Sequence, residues 1–211
     1  MALAFAESGT RGAAQAIEGR YGVLNAYSNE AHPEHLTDRL GEWWAAGDIA
    51  LKPYPSCRLT HGAIDAALKL RTTLMDRLTD VELEILLPPI AVKVVGGEDA
   101  NKIHPANIVE GQFSVYFQLA TAWLDGRCNW QSYQRLGHSD VARMEERITV
   151  ITDTTIGNTS LLRVKGQPDL SVHIEEMLGE ATRPLSWEQI MEKYTGLAEP
   201  AYGVTTTREI R

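Results

Sequence analysis

The sequence predicts an α+β fold, in which helical segments accompany a mixed α/β region and a last helix returns to the helical part. Three observations support this class. Apolar residues recur at helical spacing from His61 to about Leu78, residues 81–87 alternate between apolar and acidic, and residues 107–125 are apolar nearly all round. The chain has 211 residues, of which 44% are hydrophobic and 23% charged, so it can bury a core in one or two domains.

The first 60 residues predict short helices followed by an extended segment. Apolar spacing favours helices at three places, residues 2–8, 12–19 and 36–44. In residues 52–57, two prolines disfavour α geometry in the residues before them, so we expect an extended or turning segment. The hydroxyl of Thr60 is expected to cap the helix that begins at His61.

The middle of the chain predicts strands and a buried helix. Residues 81–87 are typical of a strand with one wet face, and we expect residues 90–95 to continue as strand after two prolines. Residues 107–125 predict one buried helix that Gly126 ends. We then expect two short helices, over residues 130–136 and 139–145. A β-hairpin formed by residues 147–156 and 160–165 and a further strand over residues 170–175 are expected to follow.

The last helix has the clearest start signal. Ser186 and Gln189 have the spacing of a capping box, and Pro184 precedes the helix while Gly196 follows it. Residues from 199 onward are expected to form a tail. Because a returning terminal helix often packs on the first helical block, we expect the middle region to be an inserted domain.

Charge and cysteine content narrow the class of function. The formal net charge of −8 opposes nucleic-acid binding, and no apolar run approaches the roughly 18 residues that cross a bilayer. The first residues lack the basic region of a signal peptide, which favours a cytoplasmic location. Cys57 and Cys128 are too few for an iron–sulfur cluster, and His32 and His35 are interrupted by Pro33. We therefore expect no metal and no other cofactor.

Three stretches resemble the MmgE/PrpD family. Residues 52–67 (KPYPSCRLTHGAIDAA) are similar to a lysine, a proline-bearing turn and a nearby histidine that lead into the helix of a lid-like domain. Residues 110–116 with 124–127 (EGQFSVY, LDGR) resemble a buried helix that ends in a Leu-Asp-Gly turn. Residues 183–194 (RPLSWEQIMEKY) are similar to the helix that returns to the large domain. With weaker agreement near the start, the resemblance covers residues 2–198.

This resemblance implies a metal-independent lyase or isomerase of small polycarboxylates, like 2-methylcitrate dehydratase, cis-aconitate decarboxylase and an iminodisuccinate epimerase. Members are typically longer, commonly form homodimers, and draw acid–base residues from a large helical domain. On this basis residues 1–52 are a remnant of that domain, 53–180 the lid-like domain, 181–198 the returning helix and 199–211 a tail. We therefore expect a truncated member, either a homo-oligomer or associated with a polypeptide that carries the missing helical domain.

The resemblance also implies the candidate site residues. Lys52 and His61 are the predicted catalytic residues, because a stiffly held ammonium can pair with a carboxylate and an imidazole can donate to one or move a proton. The alternatives are a surface lysine and a histidine that bridges two domains. Arg58, Cys57 and Ser56 are the predicted substrate-binding residues. Arg58 can clamp a carboxylate or tie two domains together, and Cys57 is alternatively a small buried residue.

The expected reaction is a hydro-lyase step on a di- or tricarboxylate. A base removes a proton next to a carboxylate while an acid assists the departure of hydroxide, and Lys52 and Arg58 neutralise substrate carboxylates. The principal base is expected from a region that this chain lacks. Two alternatives stay open. One is a non-catalytic family member that acts as a binding or oligomerisation module, and the other is an epimerase of a dicarboxylate.

Overall fold

The structure, a computed structural model, describes residues 1–74 and 81–210. The chain divides into two compact units, Met1–Ala46 and Gly47–Arg211. None of the helices formed by the described residues combines the length and the apolar character that crossing a membrane requires. The finer division at residues 52, 180 and 198 stays a prediction.

The first unit contains little regular structure. Helix α1 (Ala2–Glu7) confirms the predicted helix over 2–8, and it is followed by α2 (Val23–Tyr27) and a 3₁₀ helix (Pro33–Thr37). The helices predicted over 12–19 and 36–44 are wrong, since those residues form turns and part of the 3₁₀ helix. A short helix needs a buried face to persist. Leu40 and Trp44, on the predicted apolar face, are 78% and 74% exposed.

The second unit holds the remaining elements of the α+β fold. A short 3₁₀ helix at Ala45–Asp48 contains the boundary between the units. After a 3₁₀ helix at Arg58–Thr60, the elements of the second unit are, in chain order, α3 (His61–Arg71), β1 (Leu83–Leu87), α4 (Pro89–Val95), α5 (Ala100–Ile103), α6 (Ile108–Gln112), α7 (Val115–Asp125), a 3₁₀ helix (Trp130–Arg135), α8 (Ser139–Glu145), β2 (Ile148–Thr152), β3 (Ser160–Val164), β4 (Gln167–Ile174) and α9 (Trp187–Ile210). Residues 75–78 of the predicted first long helix lie outside the described residues.

The strands form one mixed sheet in the order β2-β1-β3-β4. Strand β1 pairs parallel to β2 and antiparallel to β3, and β3 pairs antiparallel to β4. The hairpin predicted from residues 147–156 and 160–165 is therefore wrong, because β1 lies between those two segments. The sheet hairpin is instead β3 with β4. The inward face of strand β1 consists of Leu83, Ile85 and Leu87, which are fully buried. Such an apolar face suits a central position in the sheet.

Two buried helices form the core against this sheet. Helix α3 packs on β3, β4 and α7, and every residue from Val115 to Trp123 of α7 is buried. The contact between α3 and β3 is close because Gly62 has no side chain: a Cβ there would collide with the hydroxyl of Ser160 and lie 2.9 Å from its Cβ. This packing fixes the start of α3, where the predicted site residues lie.

Three further predictions are wrong for identifiable reasons. Residues 90–95 are helical in α4, since Pro89 occupies a first-turn position and Ala91 and Val95 bury one face four residues apart. The helix predicted over 107–125 breaks at Phe113, where Ser114 accepts a hydrogen bond from the amide of Phe117 and starts α7.

Thr60 does not cap α3 through its side chain. Its hydroxyl instead donates to the carbonyl of Cys57 at 2.8 Å.

Several local signals are confirmed. Gly126 ends α7 in a left-handed conformation with φ of 68°. The side chain of Gln189 accepts from the amide of Ser186 at 2.9 Å, and the hydroxyl of Ser186 accepts from the amide of Gln189 at 3.2 Å, which completes the capping box. Helix α9 then continues through the residues assigned to a tail, with a break at Gly203.

Candidate functional site

The candidate site is built on the elbow, residues 52–57, which several surrounding elements hold in place. The hydroxyl of Tyr133 donates to the carbonyl of Pro55 at 2.6 Å. The amide of Cys57 donates to the carbonyl of Gln112 at 2.9 Å, so the turn between α6 and α7 holds the other end. Both hydrogen bonds join backbone groups of the elbow to distant parts of the chain. The elbow is fixed on both sides.

A close backbone approach fixes the entry to the elbow. The amide of Leu51 donates to the carbonyl of Gly179 at 2.8 Å. Gly179 has φ of 92°, and a Cβ there would collide with the carbonyl oxygen of Leu51. Glycine is the residue that adopts this conformation and leaves that space free. The turn around Gly179 and the start of the elbow therefore form one unit.

The two residues predicted to be catalytic converge on one atom. The ammonium of Lys52 donates to the carbonyl oxygen of Ser56 at 3.1 Å, and Nε2 of His61 lies 3.4 Å from the same oxygen. Lys52 is exposed, whereas the side chain of His61 is fully buried. The carbonyl of Ser56 therefore links an accessible cation to an imidazole in the interior.

The environment of His61 holds its imidazole neutral. Burial first, and then the charge of Arg58, lower the pKa of His61 to about 4. Nη1 of Arg58 lies 3.1 Å from Nδ1, so Nδ1 is the acceptor and Nε2 carries the proton that faces Ser56. The ring of Tyr54 packs edge-on at 5.3 Å between centroids. This geometry favours a role for His61 in orienting its neighbours over that of an exposed acid or base.

Arg58 binds an internal carboxylate. One of its terminal nitrogens forms an ion pair with Glu180, and the other also lies 3.5 Å from the carbonyl of Leu178. The side chain of Arg58 is 24% exposed and that of Glu180 is 41% exposed. Arg58 thus ties the start of α3 to the turn around Gly179 within the same unit, and its capacity for a carboxylate is used by Glu180.

Ser56 and Cys57 contribute mainly to the shape of the elbow. Ser56 is buried and its hydroxyl lies 2.8 Å from that of Thr60. Cys57 is half-buried and bonds through its backbone to Gln112. Their predicted contact with substrate stays a prediction.

A comparison with protein-family models assigns the chain to a family. The family model described as the MmgE/PrpD C-terminal domain matches residues 54–211. The chain belongs to the MmgE/PrpD family. The resemblance found in the sequence is confirmed, including its restriction to the carboxyl-terminal portion. The match includes the elbow from Tyr54 onward and the start of α3. A comparison with curated proteins found no match.

A buried charge network that the sequence analysis missed supports the elbow. Asp65 is 4% exposed, and its carboxylate accepts from the hydroxyl of Tyr54 at 2.6 Å, from Nη1 of Arg183 at 2.8 Å and from the amide of Leu178 at 3.1 Å. Burial, followed by the charge of Asp65, raises the pKa of Tyr54. An aspartate on the otherwise apolar face of α3, four residues after His61, was the available signal. Two of its partners, Leu178 and Arg183, lie over 100 residues away.

An open cleft adjoins the elbow of this MmgE/PrpD domain. It has a volume of about 790 Å³, and its walls come from the elbow, the turn that follows α7, and α9. Lys193 lines it and donates from its ammonium to the carbonyl of Lys52 at 2.6 Å. Two lysine ammonium groups are thus bound to carbonyl oxygens of the elbow, while Glu188 and Glu192 also line the cleft.

Proposed function

We propose that this chain contributes the carboxylate-binding part of a metal-independent lyase that acts on a small di- or tricarboxylate. The observation that carries the proposal is the convergence of Lys52 and His61 on the carbonyl of Ser56, within an elbow that distant elements hold rigid. A rigid cation binds an anion without the entropy loss of ordering a loop. The family assignment supports the class of chemistry.

In this proposal Lys52 contacts a substrate carboxylate directly. Its ammonium stabilises the enediolate-like charge that develops when a proton leaves the carbon next to that carboxylate. His61 acts as a positioning residue, because its imidazole is buried and orients both Arg58 and the carbonyl that holds Lys52. Lys193 adds a second ammonium at the same segment.

The base of this reaction is proposed to come from outside the elbow. The carboxylate of Asp65 is committed to three donors and that of Glu180 to Arg58, while His61 is held neutral in the interior. These groups stabilise the site, so none of Asp65, Glu180 and His61 is proposed as the base. We propose that a helical lobe supplies the base, from a separate polypeptide or another part of a longer chain.

Exposed apolar side chains support association with such a lobe or with a second copy. In the first unit Leu3, Tyr21, Tyr27 and Trp44 are each more than 70% exposed. Within the second unit Trp187 and Tyr202 of α9 are 68% and 64% exposed. Clusters of exposed apolar residues mark surfaces that bind other polypeptides.

The test combines binding with turnover. Citrate and methylcitrate binding to the purified chain is measured by calorimetry for the parent protein, for Lys52→Gln and for Lys69→Gln, an exposed lysine on α3 that serves as the matched control. A charge-assisted hydrogen bond contributes about 1.5–3 kcal/mol, so Lys52→Gln should weaken binding by about tenfold or more. Equal affinity in the Lys52 and Lys69 variants would refute the carboxylate role of Lys52.

A non-catalytic binding module is the second candidate, and a specific observation favours it. Arg58 is already paired with Glu180 and His61 is buried, so the chain has fewer groups ready for proton transfer than a complete site needs. An assay of methylcitrate dehydration distinguishes the lyase from the binding module, since the new conjugated double bond can be measured by its absorbance. Turnover after mixing with a helical-domain polypeptide of the family supports the lyase, whereas tricarboxylate binding without turnover in that mixture supports the module.

A further inference from the structure

Side chains that can bind a metal ion lie along one side of the 3₁₀ helix Pro33–Thr37 in the first unit. In a 3₁₀ helix, residues three apart eclipse one another. His32, His35 and Asp38 have this spacing, and the rings of the two histidines lie 5.5 Å apart between centroids. Pro33, which the sequence analysis treated as an interruption, occupies the first helical position and starts the turn that aligns them.

Two carboxylates complete the group. Nδ1 of His32 lies 3.0 Å from Oε1 of Glu34, and Nδ1 of His35 lies 2.7 Å from Oδ2 of Asp38. Among the residues that the structure describes, His32, Glu34 and His35 are the one group of three potential metal ligands whose ligating atoms all lie within 4.8 Å of one another.

We propose that His32, Glu34 and His35 bind a divalent transition-metal ion such as Zn²⁺. Zinc–nitrogen and zinc–oxygen bonds are about 2.0–2.2 Å long, which places tetrahedral ligands about 3.4 Å apart. The three side chains are 57–65% exposed, so small rotations in solvent bring them from 4.8 Å or less to that separation. Water fills the remaining position.

Asp38 has the place of an outer partner in this site. Metal-bound histidines commonly donate their second ring nitrogen to a carboxylate, which fixes the orientation of the ring. The contact between Asp38 and Nδ1 of His35 has this form and leaves Nε2 of His35 for the metal. The two imidazole donors favour Zn²⁺, Ni²⁺ and Cu²⁺ over Mg²⁺ and Ca²⁺.

This site is independent of the proposed lyase chemistry. Its residues belong to the unit Met1–Ala46, and no step of the polycarboxylate reaction uses them. The bound ion would restrain the segment from His32 to Asp38, which is otherwise held by surface contacts.

The experiment titrates Zn²⁺ into the untagged 211-residue chain by calorimetry. One saturable site per chain is expected, with Mg²⁺ giving no heat of binding. His32→Ala and His35→Ala should each weaken zinc affinity by about tenfold or more, since each removes one of three protein ligands. His173→Ala, at another exposed histidine that faces a glutamate, is the matched control and should leave the affinity unchanged.

Circular dichroism of each variant checks that the substitution has not unfolded the chain. Because the substituted histidines are exposed, the spectrum should stay unchanged. Equal affinity in the parent, His32 and His35 variants overturns the proposal. So does loss of binding in His104→Ala, which would place the ion near His104 and Glu145 instead. Absence of saturable binding overturns it as well.

Discussion

Replacing Asp65 by alanine tests whether the buried charge network stabilises the elbow. The substitution removes the acceptor shared by Tyr54, Arg183 and the amide of Leu178. These donors come from the elbow and from the turn around Gly179, which meet at α3. Asp65 is 4% exposed and Tyr54 is also buried, so water reaches the bond between them only if this contact opens.

The expected cost follows from the burial of each partner. Removing one member of a buried ion pair costs about 3–5 kcal/mol, because the other charge is left without compensation. Arg183 is 32% exposed, so water replaces part of its lost partner and the cost should lie near the lower end of that range. Asp65→Ala should therefore lower the free energy of unfolding by about 3 kcal/mol. Tyr54→Phe, which removes one of the three bonds, should cost about 1.5–2 kcal/mol.

Urea unfolding followed by circular dichroism measures both effects. With a denaturant slope of about 2 kcal/mol per M, a loss of 3 kcal/mol moves the midpoint by about 1.5 M. Asp169→Ala, at an exposed aspartate of β4, is the matched control and should stay within about 0.5 kcal/mol of the parent. The double variant of Tyr54 and Asp65 should cost less than the sum of the single changes. A loss below about 1 kcal/mol for Asp65→Ala would refute the reasoning.

Three other predictions concern the same region. The pKa of His61 is about 4 in the folded chain and about 6.5 in the unfolded one, so protons bind preferentially to the unfolded state between those pH values. The free energy of unfolding should therefore fall by about 3 kcal/mol as the pH drops from 6.5 through 4. His61→Gln should flatten this part of the stability curve, and parallel curves for the two proteins would contradict it. Gly179→Ala should lower the melting temperature more than Gly157→Ala, because both glycines have positive φ but only Gly179 lies against a carbonyl. Glu180→Gln should free Arg58 and tighten citrate binding by about two- to fivefold, because an ion pair of this kind contributes about 0.5–1 kcal/mol. Glu176→Gln, on the same turn, is the control and should leave citrate binding unchanged. Unchanged citrate affinity in the Glu180 variant would show that Arg58 does not reach the ligand.

The candidate site divides into a part that the sequence could predict and a part that it could not. The prolines around Tyr54 made an extended elbow beside Lys52 predictable, because proline restricts its own φ and the conformation of the residue before it. The pairing of Arg58 with Glu180 was not predictable, since 122 residues separate the two. Their contact depends on where β4 returns the chain, which no local pattern encodes.

The fold divides in the same way. Local sequence patterns account for the capping box at Ser186, the end of α7 at Gly126 and the strand character of residues 83–87, because each depends on contacts within a few residues or on a side-chain period. The helical state of residues 90–95 and the position of β1 between β2 and β3 are set by long-range packing. Those outcomes depend on which apolar faces meet in the core, and the burial free energy of such long-range contacts outweighs the weak local preference of valine and isoleucine for strands.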